Sequence, residues 1–216
     1  MKKFAQILFD WPKPYIFGTD LCHLLDKSPN SRHSIVKRAV KDGLLIPLRR
    51  DLYLIMRRDL YLINRRHAPI DMFEVSLILY GPSYVSFESA LSYHGWIPEA
   101  VRSMTCASSK KSKEFNTPLG FFTYEHIPIE AFALGICQHQ KGDITLFIAN
   151  PWKALADIIY ARKRDWLTLD DLSEDLRIDP EHFINFDISL LTDLIANYPS
   201  NRVKRVLRTL QKGLSS

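Results

Sequence analysis

Three cysteines, Cys22, Cys106 and Cys137, are spread over 216 residues. No CxxC and no Cys/His arrangement of metal-site spacing occurs among them, which excludes a zinc module and a disulfide framework. The expectation is three reduced and mostly buried thiols. Cys22 adjoins His23, but neighbours on a helix diverge. Glycine is also scarce, at eight residues. There is no glycine-rich phosphate loop, no HExxH and no GxSxG, so the commonest nucleotide-binding, metalloprotease and serine-hydrolase chemistries have no foothold. Long apolar runs are missing too: none approaches the ~18–20 residues that span a bilayer. The opening MKKFAQILFDWPKPYIF places Asp10, Trp11 and two prolines where a signal peptide needs unbroken apolar sequence. These absences predict a cytoplasmic protein with no catalytic residues, no metal and no cofactor.

Apolar residues make up 46% of the chain, enough to build a core. The net charge of +5 is mild, but it is unevenly placed. Residues 1–70 hold 14 Lys/Arg against 6 Asp/Glu, a net of +8, and residues 71–216 hold 15 against 18, a net of −3. Within the second part, Arg202, Lys204, Arg205, Arg208 and Lys212 stand in residues 201–216 with no acid, leaving −8 over residues 71–200. A basic head on an acidic body implies that the head is the part that meets a polyanion.

In the head, residues 2–9 suit a short helix with Phe4, Ile7 and Leu8 on one side, interrupted by Pro12 and Pro14. Thr19 is a candidate N-cap for a second helix over residues 20–26. Residues 27–30 read as a turn. A third helix over residues 31–42 ends at Gly43, a good C′ residue. On a helical wheel, Ile35, Val36, Ala39 and Val40 share one side, and His33, Ser34, Lys37, Arg38 and Lys41 share the other. A core-packed helix with a basic outer face, second in a helix–turn–helix, is what a recognition helix requires, and Arg32 in its first turn is placed to reach bases or phosphates. After Gly43 the composition turns strand-like. Helix, glycine and short strand pair make the layout of a winged helix-turn-helix.

The expected wing is duplicated. Residues 48–55, LRRDLYLI, are followed at once by residues 56–63, MRRDLYLI, identical at seven of eight positions. Two foldings suit the copies: a three-stranded meander with a turn at each Arg-Arg-Asp, or one longer hairpin in which the copies pair. Eight is an even number, so the insertion keeps each strand side chain on its original face. The arginines at 49, 50, 57, 58, 65 and 66 would then form a ladder, with Tyr53 and Tyr61 interleaved, whose guanidinium forks suit phosphate. A duplicated, solvated edge is the plainer alternative.

Downstream, helices are expected over residues 71–80 and 86–95, the latter capped by Ser86 and closed by Gly95. Strands are expected over residues 104–107, 121–126, 136–139 and 144–148, with a hairpin turn at 141–143 and a lysine-bearing loop at 108–113. Asn150 and Pro151 open a helix over residues 151–164, and helices follow over residues 169–176, 188–197 and 201–212. Asp170, Asp171, Glu174 and Asp175 read as a solvated acidic face; a nuclease-like enzyme would need them as metal ligands. The fold class is therefore α+β: a winged helix-turn-helix over residues 1–67, then an α/β domain over residues 68–216 with a helical C-terminal tail.

The run GPSYVSFESALSYHGWIPEAV (81–101), the run IANPWKALADIIY (148–160) and the basic head together resemble AbiEi-type antitoxins. These are transcription-regulating antitoxins of the type IV, abortive-infection toxin–antitoxin systems. The first run is similar to the family's pattern of a hydrophobic pair, Ser, Ser/Glu, Ala-Leu and His-Gly. The second is similar to its pattern of Pro, a polar pair, Ala-Leu, Asp and an aliphatic run. The resemblance implies a bacterial, phage-defence repressor of its own operon; for the oligomeric state, monomer and dimer both stay open. It also implies an α/β antitoxin-like body and a nucleotidyltransferase-like toxin as partner. Operator-DNA contact would fall to Arg32, Lys37, Arg38, Lys41, Arg49 and Arg50. Helix position adds His33 and Ser34, and the second copy adds Arg57 and Arg58. The sequence departs from the family at the duplicated wing, where Asp51 and Asp59 stand in place of a commoner glycine. A second reading keeps the head structural and gives the body a protein partner.

Overall fold

The computed structural model describes residues 2–56, 71–98, 103–141, 144–183 and 188–214. It is α+β, with two separate sheets. The chain divides into two compact units, Met1–Asp71 with Asn116–Leu119, and Met72–Phe115 with Gly120–Ser216.

The first unit opens with helix α1 (Lys2–Asp10), strand β1 (Tyr15–Phe17) and helix α2 (Gly18–Leu24). Helix α3 (Pro29–Lys41) and strands β2 (Leu45–Arg49) and β3 (Leu52–Ile55) follow. Helix α2 starts earlier than its sequence suggests. Phe17, not Thr19, stands at the N-cap, and the Asp20 carboxylate accepts the Phe17 N–H at 2.9 Å. A carboxylate in the first turn satisfies an otherwise open N–H and favours the positive helix end. Pro29 and Asn30 belong to α3 instead of the preceding turn, because proline's fixed φ suits the first helical position. Apolar side chains of all three helices meet in one core of Phe4, Leu8, Ile16, Leu21, Leu25, Ala39, Leu45 and Ile55.

The three strands pair antiparallel in the order β1-β3-β2. This overturns both foldings expected for the duplicated segment. Each needs a free edge on Leu52–Ile55 for the second copy, but β1 holds one edge of β3 and β2 the other. The missed element is β1, three residues lying just after two prolines that read as a break. The first Arg-Arg-Asp is a turn, as the meander requires: Arg49 ends β2 and Leu52 begins β3. The second copy beyond Met56, with Arg57, Arg58 and Tyr61, lies outside the described residues, as do Arg65 and Arg66 after it. Strand β3 is central and buries both faces: Tyr53 and Ile55 face the helical core, while Leu52 and Leu54 are buried on the opposite face.

The second unit holds a six-stranded sheet. Its strands are β4 (Ser83–Val85), β5 (Ser103–Ser108), β6 (Lys113–Thr117), β7 (Gly120–His126), β8 (Ile136–Lys141) and β9 (Ile144–Ala149), in the order β6-β7-β5-β4-β9-β8. Pairs β5/β7 and β4/β9 run parallel, and β4/β5 and β8/β9 antiparallel. Helices α4 (Met72–Leu79), α5 (Phe87–Tyr93), α6 (Ile129–Phe132) and α7 (Pro151–Arg162) are interspersed. The tail comprises α8 (Leu169–Leu176), a 3₁₀ turn (Pro180–Phe183), α9 (Ile188–Asn197) and α10 (Asn201–Leu214). Helix α10 turns Val203, Val206, Leu207 and Leu210 inward against α7 and α9. Each such burial stabilises by about 1.5–3 kcal/mol.

Candidate nucleic-acid interface

Helix α3 is fixed on one side and bare on the other. Ala39 is fully buried, and Ile35, Val36 and Val40 pack against the core beside it. Its C-terminal end is closed by two backbone bonds, Gly43 N–H to Val40 O at 3.0 Å and Leu44 N–H to Ala39 O at 2.8 Å. Gly43 makes this closure with φ 68°, the left-handed conformation that glycine adopts at no steric cost. The chain is thereby aimed from α3 directly into β2.

The outer side carries His33, Ser34, Lys37, Arg38 and Lys41, all exposed. Among the described residues, the side chains of Lys37, Arg38 and Lys41 have no hydrogen-bond or ion-pair partner. Two neighbours on the helix are engaged internally. The Ser34 hydroxyl donates to Asn30 O at 3.0 Å, within the helix. Arg32 is half-buried, and its Nη1 donates to Lys27 O at 2.7 Å. That bond ties α3 to the turn before it, so Arg32 is partly spent on holding the turn.

The β2–β3 hairpin turns on two residues, Arg50 and Asp51. Asp51 takes φ 56°, a left-handed conformation that aspartate tolerates better than most side chains. It thus fills the role that glycine plays at the commoner hairpin turns. Arg50 Nε lies 3.6 Å from Asp51 Oδ2, with 97% and 70% of the two side chains exposed. Arg49 Nη1 donates to Arg50 O at 3.2 Å. The hairpin therefore offers Arg49 and Arg50 at one short tip. Tyr53 is not interleaved with them; it packs against the helical core, and burial, aided by Asp51, pushes its pKa up.

No protein-family model matches the chain, and no curated protein matches it.

The acidic group on α8 is engaged locally. Asp171 accepts the N–H groups of Leu167 and Thr168 at 2.9 and 3.0 Å while Thr168 Oγ1 accepts the Asp171 N–H, a reciprocal cap. Asp175 accepts Trp166 Nε1–H at 2.9 Å and faces Arg164. Among the described residues, no three His, Cys, Asp or Glu side chains are grouped as a metal site would need.

Sequence reasoning missed the polar centre of the second unit. Lys153 and Asp157, one turn apart on α7, are both fully buried. Lys153 Nζ donates to Asp157 Oδ1 at 2.7 Å and to Ala131 O at 2.9 Å. Asp157 also accepts from Tyr84 and Ser86 at 2.8 Å each and from Tyr198 at 3.1 Å. Burial holds the Lys153 pKa down against the opposing pull of Asp157, and pushes the Tyr84 and Tyr198 hydroxyls up. The signal was present in the sequence: two opposite charges four residues apart inside an otherwise apolar helix. With no exposure, the group joins α7 to β4 and to the connection between α9 and α10, and it offers nothing to a substrate. Ser86 shows the consequence: it stands at the N-cap of α5, but its hydroxyl serves Asp157 and makes no cap bond.

Proposed function

We propose that residues 1–67 form a winged helix-turn-helix that binds duplex DNA, and that the whole chain is an AbiEi-type antitoxin repressing its own operon. The observation that carries the DNA-binding part is the face of α3. Lys37, Arg38 and Lys41 are exposed and unpaired among the described residues, while the opposite face is locked into the core. The order α1-β1-α2-α3-β2-β3 with β3 central supports the same reading. In that layout α3 enters the major groove and the β2–β3 tip lies along the phosphates.

The test is duplex binding by the full chain across a salt series. Each phosphate neutralised steepens the log–log salt slope by roughly 0.9. Replacing Lys37, Arg38 and Lys41 together with alanine should reduce duplex affinity at least about 100-fold and flatten the slope by about two to three units. Thermal unfolding should be almost unchanged, because all three side chains are exposed. Duplex affinity that survives the triple replacement refutes the assignment.

The antitoxin part rests on the two runs at 81–101 and 148–160, which lie in the second unit. Its implied partner is a nucleotidyltransferase-like toxin. Co-expression of this chain with the product of a neighbouring reading frame should restore growth that the neighbour alone arrests. A promoter reporter upstream of the pair should be repressed by this chain. Growth arrest that this chain leaves untouched would remove the antitoxin reading and leave DNA binding standing.

A further inference from the structure

Resting on the DNA-binding reading of the head, we propose that Arg38 is the residue through which α3 tells one base sequence from another. It does so by a two-pronged contact to N7 and O6 of a guanine in the major groove.

Four arginines are described in the head, and three have polar partners within the protein. Arg32 donates to Lys27 O, Arg49 donates to Arg50 O, and Arg50 faces the Asp51 carboxylate. Arg38 alone is exposed with, among the described residues, no partner for its guanidinium. Its root is held while its tip is not: Arg38 O accepts the Asp42 N–H at 2.8 Å, and the adjoining Ala39 is fully buried. With the backbone already ordered, binding immobilises only the side chain, and a planar fork loses less freedom per hydrogen bond formed than a lysine does.

The chemistry of its neighbours makes the division of labour. Guanine presents two acceptors side by side, and a planar guanidinium offers two parallel N–H donors at matching spacing. Lys37 and Lys41 each end in a single ammonium, a point charge suited to phosphate oxygens at any sequence. The Ser34 hydroxyl is engaged with Asn30 O. So the lysines supply affinity and Arg38 supplies discrimination.

The experiment selects binding sites for the full chain from random-sequence duplexes, then repeats binding on the selected duplex with single guanines changed to adenine or to 7-deazaguanine, which lacks the N7 acceptor. At one guanine, the wild type should lose roughly 10- to 100-fold on the base change and about tenfold with the deaza base. Arg38→Ala should bind the selected and altered duplexes equally, with its unfolding midpoint at the wild-type value. Arg32→Lys should keep the guanine preference. Arg38→Ala retaining the preference, or Arg32→Lys abolishing it, overturns the assignment to Arg38 while DNA binding stands. A wild-type chain with no salt-sensitive duplex binding overturns the underlying reading, and this proposal with it.

Discussion

Lys153 and Asp157 carry the second unit's heaviest electrostatic commitment. Two charges removed from water are costly, and Asp157 is compensated by four donors within the protein, one ammonium and three hydroxyls. Removing the ammonium leaves a buried carboxylate with hydroxyl donors and no counter-charge. Lys153→Met should therefore cost about 3–5 kcal/mol in urea unfolding. A loss under about 1 kcal/mol would mean that water reaches Asp157 and that the pair is not desolvated. At this scale the sequence was legible wherever a residue's role follows from its own element. Ala39, Val36 and Val40 sit inward, and Lys37 and Lys41 outward, as helical spacing dictates. It was not legible where the partner comes from far along the chain. Ser86 looks like a cap until Asp157, many residues later, takes its hydroxyl.

Elements follow the same division. Helices α8 and α9 occupy residues 169–176 and 188–197, the spans their periodicity predicts, because a helix closes its hydrogen bonds within itself. Strands β1, β4 and β6 went unread. Two of them are only three residues long, and β6, with Lys113 and Glu114, resembles the loop it follows. A strand's existence depends on its neighbour, and β1 is defined only by its pairing with β3. The junction of β1 and α2 shows how tight that pairing is. Gly18 N–H donates to Asp51 O at 2.8 Å, and a Cβ at position 18 would lie 2.9 Å from Asp51 Cβ. Gly18→Ala should destabilise the head by about 1–3 kcal/mol, read as a lower unfolding temperature. An unfolding temperature equal to the wild type's would show that the hairpin turn can move aside.

For the molecule as a whole, the sequence's charge division holds: residues 1–70 carry +8 and residues 71–200 carry −8. Among the described residues, no helix is long and apolar enough to cross a membrane. Buried titratable groups make the fold sensitive to alkali. Burial pushes the Cys106 thiol up to about 12 from 9.0, and the Tyr84 and Tyr198 hydroxyls rise for the same reason, reinforced by Asp157. A native pKa above the unfolded one means that the native state holds the proton more tightly. The associated stability is full below the unfolded pKa and is lost as pH rises towards the native one. Lys153, with its pKa lowered, works the other way. Stability should therefore decline above about pH 9 as the unfolded thiol ionises, by up to about 1.4 kcal/mol per pH unit for that group. Comparing urea midpoints of the wild type and Cys106→Ala from pH 8 to 11 isolates it. The wild type should lose ground to the variant as pH rises, and a constant difference would place the thiol in contact with water.

The close approach of Gly18 to Asp51 has a consequence for how this sequence can change. The two positions are far apart in the chain yet share one small volume, so position 18 is not free to vary while aspartate stands at 51. Alanine at 18 becomes admissible once glycine stands at 51, which also relieves the left-handed backbone there. The order of change is therefore fixed: the hairpin tip can change first, and drift at the helix start is passable only after it.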